Sequence, residues 1–447
     1  MKQLIIIAFS SLLILSCGSK TKKPVSISGS IENNSSDSIY LISNDIRKAI
    51  AITDGHFSDT LKLSTPVYFK FYTGNQLGWI YLTPGSNLSL KTDMEDFDNQ
   101  LKFEGSLSKE NAFLAAKVLK EIEFSKGQKD FFTLEASDFK KKSIEYKEEL
   151  LTMLNKSGAS KTFINSEKKN LEYNYLLMLI QYPAAYSYFS GNKMNEIPAE
   201  FREELNKVDI TDEKDYNLLP SYKDLVFYNM SLKIDEAKDA EEVEKIIAGI
   251  QSQTIKDDVM SQLLMYTISS GGADAQKYFD IVQKYAKDED LIKRANTEFE
   301  QVKKLLPGSP SPKFAYPDIN GNEVALSDLK GKLVYIDVWA TWCVPCLQEI
   351  PSMKKLEEDY RDKGVYFVGM SIDQRKDFEK WEKMVAEKEL RGIQVFADND
   401  WSSQFARDFN VNGIPRFILL DKEGNIITAD APRPSNPDIR TLFDEHI

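Results

Sequence analysis

The sequence predicts a multidomain protein: a β-rich N-terminal domain, an all-α middle region and a C-terminal α/β domain. Three observations predict it. Residues 25–105 hold short alternating apolar segments bounded by Gly, Asn, Asp and Pro, the pattern of strands and turns. Residues 106–306 are rich in Lys, Glu, Leu and Ala, with apolar positions at helical spacing and few breakers. After the breaker cluster Pro307-Gly-Ser-Pro-Ser-Pro312, apolar β-branched runs alternate with helical patterns through residue 447. A chain of 447 residues is too long for one ordinary core, so two or three domains are expected. The formal net charge of −12 and pI near 5.0 argue against a nucleic-acid or anionic-membrane surface, leaving small molecules or proteins as substrates.

Residues 1–17 open with Lys2, continue through an apolar run from Leu4 to Leu15 and end at Cys17, the layout of an export signal. The run is too short to span a bilayer. Ile14-Leu15-Ser16-Cys17 resembles the lipobox of bacterial lipoproteins, which implies cleavage before Cys17 and lipidation of its thiol. An ordinary secretory signal with an incidental cysteine is the competing reading. Residues 18–24 are small and basic, which suits a tether.

The β-rich region, residues 25–105, carries Tyr68, Phe69, Phe71, Tyr72, Trp79 and Tyr81 and no catalytic constellation. Burial habits favour core over ligand binding for these rings. In the helical region Leu114, Val118 and Ile122 recur at helical spacing, as do Phe279, Val282 and Tyr285. The tyrosine-rich stretch Leu171 to Phe189 is read as a buried core helix, with a client-binding groove as the alternative. Pro307 to Pro312 is read as a linker, and residues 307–447 as a separate domain.

That last domain opens with a hairpin signal at Asn320-Gly321-Asn322 and a helical turn at Ser327 to Lys330. A buried strand through Val334, Ile336 and Val338 then runs into Cys343-Val-Pro-Cys346. Leu347, Ile350, Met353, Leu356 and Tyr360 follow at helical spacing. Val365 to Ile372 is the next strand. A helix follows from about Lys376 to Leu390, with Asp373 as candidate cap and Phe378, Trp381 and Val385 on one face. Ile393 to Ala397 reads as a strand and Trp401 to Phe409 as a helix. A hairpin about Lys422-Glu-Gly424 and a final helix opened by Asn436-Pro437-Asp438 complete the chain.

Cys343 therefore falls at a helix N-terminus, where unpaired N–H groups favour a thiolate, and Cys346 lies one turn further in as the resolving thiol. The same spacing is half of a zinc site. The chain has only one other cysteine, Cys17, and two histidines, His56 and His446, all distant in sequence, so no metal is expected.

Trp339-Ala-Thr-Trp342-Cys-Val-Pro-Cys346 resembles the active-site loop of the thioredoxin family. Asp337 matches the aspartate buried beneath the cysteines, Pro351 the proline that kinks the first helix, and Gly413-Ile414-Pro415 the loop carrying a cis-proline. The chain is most similar to the membrane-anchored TlpA and ResA group, which carries an acidic residue at the position of Glu349 and adds a helix and strand before the cis-proline loop. The β-rich region more weakly resembles a small domain that precedes thioredoxin modules in Bacteroidetes-type lipoproteins, with Pro84-Gly85 and Glu104-Gly105 in place.

The resemblance implies a thioredoxin-like fold with a central mixed sheet and a thiol-disulfide oxidoreductase whose cofactor is only its own Cys343–Cys346 disulfide. Asp337 would take the proton of Cys346, Glu349 would assist from the helix, Pro415 would present backbone to an extended client, and Trp342 would shield the sulfurs. Thioredoxins place a lysine near the aspartate; here that position is Gly369. Ile414 is the residue type of reducing members. The expected partners are exported proteins with disulfides, cytochrome c maturation factors among them, and a membrane electron donor. The expected location is the cell envelope, lipid-anchored and periplasm-facing. A thiol oxidase or isomerase, a thiol peroxidase, and a lipoprotein binding or scaffold module with an accessory redox domain are the alternatives.

Overall fold

The computed structural model describes residues 23–43, 46–194, 196–207 and 209–447. The signal segment and Cys17 lie outside the described residues. Two compact units divide at Asn229/Met230, inside the helical stretch.

Among the described residues the first unit has eight strands: β1 (Lys23–Glu32), β2 (Ser38–Ile42), β3 (Arg47–Ala51), β4 (His56–Leu63), β5 (Val67–Thr73), β6 (Gln76–Leu82), β7 (Asn87–Asp93) and β8 (Lys102–Gly105). Lys23 and Pro24, read above as tether, belong to β1. The strands form two four-stranded sheets, ordered β4-β1-β7-β8 and β3-β2-β5-β6. Alternation of side chains turns Val25, Ile27 and Ile31 of β1 inward. Tyr68, Phe69, Phe71 and Tyr81 are buried in the core.

Helices Ser108–Lys126, Ala136–Lys156 and Lys161–Ser190 follow. The stripe on the first runs through Phe113, Leu114 and Lys117 and leaves Ile122 exposed. It turns because Lys117 is drawn inward by a buried ion pair with Glu167 at 2.7 Å, and Glu167 also accepts from the Tyr68 hydroxyl at 2.8 Å. The tyrosine-rich stretch lies in the third helix, where Tyr175, Leu179 and Tyr182 are buried, so it is a core helix.

The second unit contains helices Ala240–Gly249, Gln253–Val259, Met265–Ser270, Ala275–Tyr285 and Glu289–Val302. Its strands are β9 (Ala315–Pro317), β10 (Glu323–Ala325), β11 (Leu333–Trp339), β12 (Val365–Ser371), β13 (Ile393–Phe396), β14 (Arg416–Leu420) and β15 (Ile426–Thr428). β9 and β10 form a hairpin in which the Asp318 carboxylate accepts from the N–H groups of Asn320 and Asn322. The other five make a sheet ordered β13-β12-β11-β14-β15. β11, β12 and β13 run parallel while β14 and β15 are antiparallel, so the sheet is mixed. Tyr335, Phe367, Phe417, Tyr360 and Phe443 form one buried cluster against it.

Pro307 to Pro312 is not a free linker. Gly308 N–H donates to the Ile426 carbonyl at 2.8 Å, Ser311 N–H to Gly424 at 3.1 Å, and Ile426 N–H returns a bond to Ser309 at 2.8 Å. The prolines lack donors, but the residues between them supply enough to line the segment along β15.

Candidate active site

Cys343 and Cys346 lie where β11 runs into the Val344–Asp359 helix. They are joined in a disulfide with Cα atoms 5.3 Å apart. Cys343 is the helix N-cap, and its Sγ accepts from the Cys346 N–H at 3.2 Å. The partial positive charge of the helix start therefore faces this sulfur. Pro345 sits in the first turn, where a missing N–H costs nothing. Cys343 and Cys346 are 4% and 3% exposed, so position at the helix start, not burial, distinguishes the attacking sulfur from the resolving one.

Asp373, expected to cap the helix after β12, does something else. That helical segment starts after Gln374. Asp373 is fully buried and its carboxylate faces the cysteine loop. It accepts from the Thr341 N–H at 2.9 Å, the Thr341 hydroxyl at 2.8 Å and the Ser371 hydroxyl at 2.9 Å. The loop entering Cys343 is thus anchored to the end of β12, because a buried carboxylate persists only where donors converge on it.

Asp337 of β11 stands opposite Gly369 of β12, which stands opposite Gln394 of β13. A Cβ at Gly369 would come within 2.2 Å of Gln394 Oε1, so the Gln394 amide occupies the space above the glycine. Its Nε2 donates to the Arg391 carbonyl at 2.6 Å. Asp337, Cys346, Lys354, Glu357, Arg391 and Gln394 line a cavity of about 30 Å³, room for a water or two. Asp337 is half-buried, and its Oδ1 is covered with no hydrogen-bond partner among the described residues. Burial pushes the Asp337 carboxyl up to about 8, and the charges of Glu349 and Glu357 add to the rise.

Glu349 is buried with both carboxylate oxygens engaged by Ser435, from its N–H at 3.0 Å and its hydroxyl at 2.8 Å. It acts on Asp337 through its charge while tying the helix to the loop before the last helix.

The Ile414–Pro415 peptide is cis. Arg416 pairs with Val338 across β14 and β11, so this loop emerges at the same end of the sheet as Cys343. Buried Arg416 donates Nε–H to the Ala429 carbonyl at 2.7 Å and a guanidinium N–H to the Ser270 carbonyl, while Asn410 Nδ2 donates to the Ser269 carbonyl at 2.7 Å. The end of the Met265–Ser270 helix is thereby bound on both sides of the cis-proline. A Cβ at Gly272 would lie 3.3 Å from the Asp430 side chain, so this approach suits glycine. A chain beginning at residue 307 keeps every strand of the five-stranded sheet but loses both carbonyl acceptors. We expect it to unfold about 2 kcal/mol more easily than residues 230–447. Equal urea midpoints for the two would show that the helices do not support the loop.

Trp342 and Trp401 are 49% and 39% exposed with ring centroids 6.2 Å apart. Together with Ile372, Lys376 and Asp400 they line an open cleft of about 260 Å³ beside the cysteine loop. Sequence reading missed Asp373 as a loop anchor, and it missed Glu357, Gln394 and the Ser269–Ser270 carbonyls altogether. Glu357 carries one sequence signal, its helical spacing from Ile350 and Met353 on the cavity side.

The Redoxin family profile matches residues 306–442. A thiol-disulfide oxidoreductase of Bacteroides vulgatus, known as a solution structure and named as putative, shares 50% identity over 31% of this chain and 89% of its own, with a TM-score of 0.28. Thiol-disulfide oxidoreductase ResA of Geobacillus kaustophilus is 32% identical over 129 residues, 29% of this chain and 71% of the relative. A ResA of Bacillus cereus is 31% identical over 129 residues, 29% of this chain and 72% of the relative. This chain belongs to the ResA-like thiol-disulfide oxidoreductases of the thioredoxin superfamily. In this ResA-like enzyme the matched region contains every side chain of the site described above. The Ser269 and Ser270 carbonyls come from outside it. Among the described residues no helix is long and apolar enough to cross a membrane.

Proposed function

We propose that the protein reduces disulfides of exported proteins while held by a lipid on Cys17 at the periplasmic side of a cell-envelope membrane. The observation that carries the reading is the arrangement of three parts at one end of the sheet. These are a cysteine pair with Cys343 at the helix start, the cis-proline loop beside it, and a buried carboxyl on a cavity that also touches Cys346. Ile414 and the lipobox-like segment support the reductive direction and the anchor.

In the reduced enzyme the Cys343 thiolate attacks a client disulfide, forming a mixed disulfide and expelling one client thiolate. Cys346 then gives its proton to ionised Asp337, and its thiolate attacks Cys343 Sγ. The Cys343–Cys346 disulfide forms, the second client thiolate leaves, and two electrons have passed to the client. A carboxyl near 8 is close to an ordinary thiol, so this transfer is nearly balanced in both directions. Re-reduction reverses the steps: a membrane dithiol donor opens the disulfide and protonated Asp337 returns the proton to Cys346. The redox pair itself is the only cofactor this cycle uses. Trp342 and Trp401 would receive apolar client side chains beside the reacting disulfide, and the backbone at Pro415 would pair with the extended client.

Cys346→Ser tests this in cells. It leaves Cys343 able to attack and nothing to resolve the product, so exported disulfide proteins should accumulate as adducts on non-reducing gels, cytochrome c maturation factors among the first candidates. Adding Cys17→Ser should shift those adducts from membrane to soluble fractions. Adducts that survive Cys343→Ser would place the chemistry elsewhere. Adducts that form only when Cys343 is first held in a mixed disulfide with a small thiol, which a reduced client thiolate then displaces, would replace the reductase with an oxidase.

A further inference from the structure

The cavity beneath the cysteines raises a question that Asp337 alone leaves open. Every cycle moves one proton onto this carboxyl and one off it; its Oδ1 is covered, while the residue as a whole is half-buried and lines the cavity. Glu349 offers no exit, since both of its oxygens are held by Ser435. Three buried acceptors without a hydrogen-bond partner belong to residues lining this one space: Asp337 Oδ1, Glu357 Oε2 and Gln394 Oε1. Acceptors cannot satisfy each other, so such a cluster calls for donors in the form of water or protonated carboxyls. The volume of about 30 Å³ accommodates that water.

We propose that Glu357 is the relay that carries the Cys346 proton between Asp337 and solvent, through water in the cavity they share. The proposal rests on the reductase reading for its direction, and on the geometry for the path. Glu357 is 9% exposed, on the second half of the helix that begins at Cys343. The charged groups facing it are Lys354 from its own helix, Arg391 from the turn before β13 and Asp337 from β11. Lys354 and Arg391 have side chains 33% and 54% exposed and so mark the solvent end of the path. Their outer partners are Glu389 at 3.9 Å and Glu358 at 2.8 Å. Burial lifts Glu357 to about 7 against the pull of Arg391 and Lys354, just below Asp337 at about 8. Two carboxyls so close in proton affinity exchange a proton with little cost either way.

The balance is simple. When Cys346 resolves the mixed disulfide, its thiol proton passes to Asp337, a cavity water takes it to Glu357, and it leaves between Lys354 and Arg391. When the donor opens the disulfide, one proton travels inward and ends on Cys346. Glu357 touches no sulfur in this scheme; it acts through Asp337.

The test uses Glu357→Gln and Glu357→Asp in the full chain. Release of a disulfide-bonded model peptide, followed by stopped flow between about pH 6 and 9, should slow by about tenfold in Glu357→Gln and recover in Glu357→Asp. Infrared difference spectra on opening the disulfide should show two responding carboxyls in the wild type and one in Glu357→Gln. In that variant the Asp337 midpoint should move to lower pH, because a neighbouring negative charge is gone. That shift follows from the charge alone, so the relay is read from the release rate, its recovery in Glu357→Asp and the number of responding carboxyls. An unchanged release rate in Glu357→Gln overturns the relay. A single responding carboxyl in the wild type overturns it without any variant having to fold. The infrared measurement needs no client, so two coupled carboxyls in a protein that reduces nothing would sink the reductase reading and leave the relay standing.

Discussion

Asp337→Asn is expected to make the protein harder to unfold at alkaline pH while slowing the release of clients about a hundredfold. The two effects share one cause. The carboxyl is held near 8 in the folded chain against an ordinary value of 3.8. Below about pH 4 both folded and unfolded chains keep the proton, and its contribution to stability is fully present. As pH rises the unfolded chain loses the proton first, so stability falls progressively and the contribution is gone once pH passes about 8. Each unit of displacement is worth about 1.4 kcal/mol, so the wild type should lose on the order of several kcal/mol between acidic and alkaline pH. The asparagine variant should lose less, keeping the smaller slope due to Glu357. Urea midpoints of the oxidised protein at about pH 5 and 9 measure this. Parallel decline in variant and wild type would mean that Asp337 ionises freely in the fold. Kinetically, formation of the mixed disulfide should be nearly unchanged, since only the second step draws on a base for Cys346.

Asp373→Ala should have the opposite signature. Removing this carboxylate strands the Thr341 N–H and hydroxyl inside the protein and frees the loop that enters Cys343. A loss of about 3 kcal/mol is expected from the unpaired donors and the hole together. Here the first attack should slow as well, because the geometry of Cys343 itself is loosened. Mixed-disulfide formation at the wild-type rate in a destabilised variant would show that the anchor serves the fold and not the site.

The contrast between these two aspartates shows what the sequence made legible. Asp337 was found through the resemblance of the segment around Trp-Cys-x-x-Cys to the thioredoxin active-site loop, which the sequence carries in one short stretch. Asp373 also lay next to a helix, and the same kind of local reading made it a cap. Its actual partner is Thr341, brought to it by the parallel pairing of β11 and β12. The succession of strands and helices along the chain, the cysteine loop and the helix that follows were readable because period and breaker signals are local. Glu357 and Gln394 meet Asp337 only through helix packing and the register of three strands, which spacing in one chain does not encode. The linker reading of Pro307 to Pro312 failed for a related reason. Breakers end helices and strands, but the donors between them remain free to line a sheet edge elsewhere.

The close fit of Gln394 over Gly369 bears on how this sequence can drift. No side chain can be introduced at 369 while the glutamine keeps its place, and a shorter residue at 394 would open a hole beside the aspartate. The two positions are therefore inherited as one choice: the row across the sheet takes its polar group either from the middle strand or from the outermost one. Here the outer option is taken, so across the sheet the acid's row carries a neutral amide. Placing a cation at 369 would require two coordinated replacements, with an overfilled or hollow intermediate between them, so packing holds the present arrangement in place.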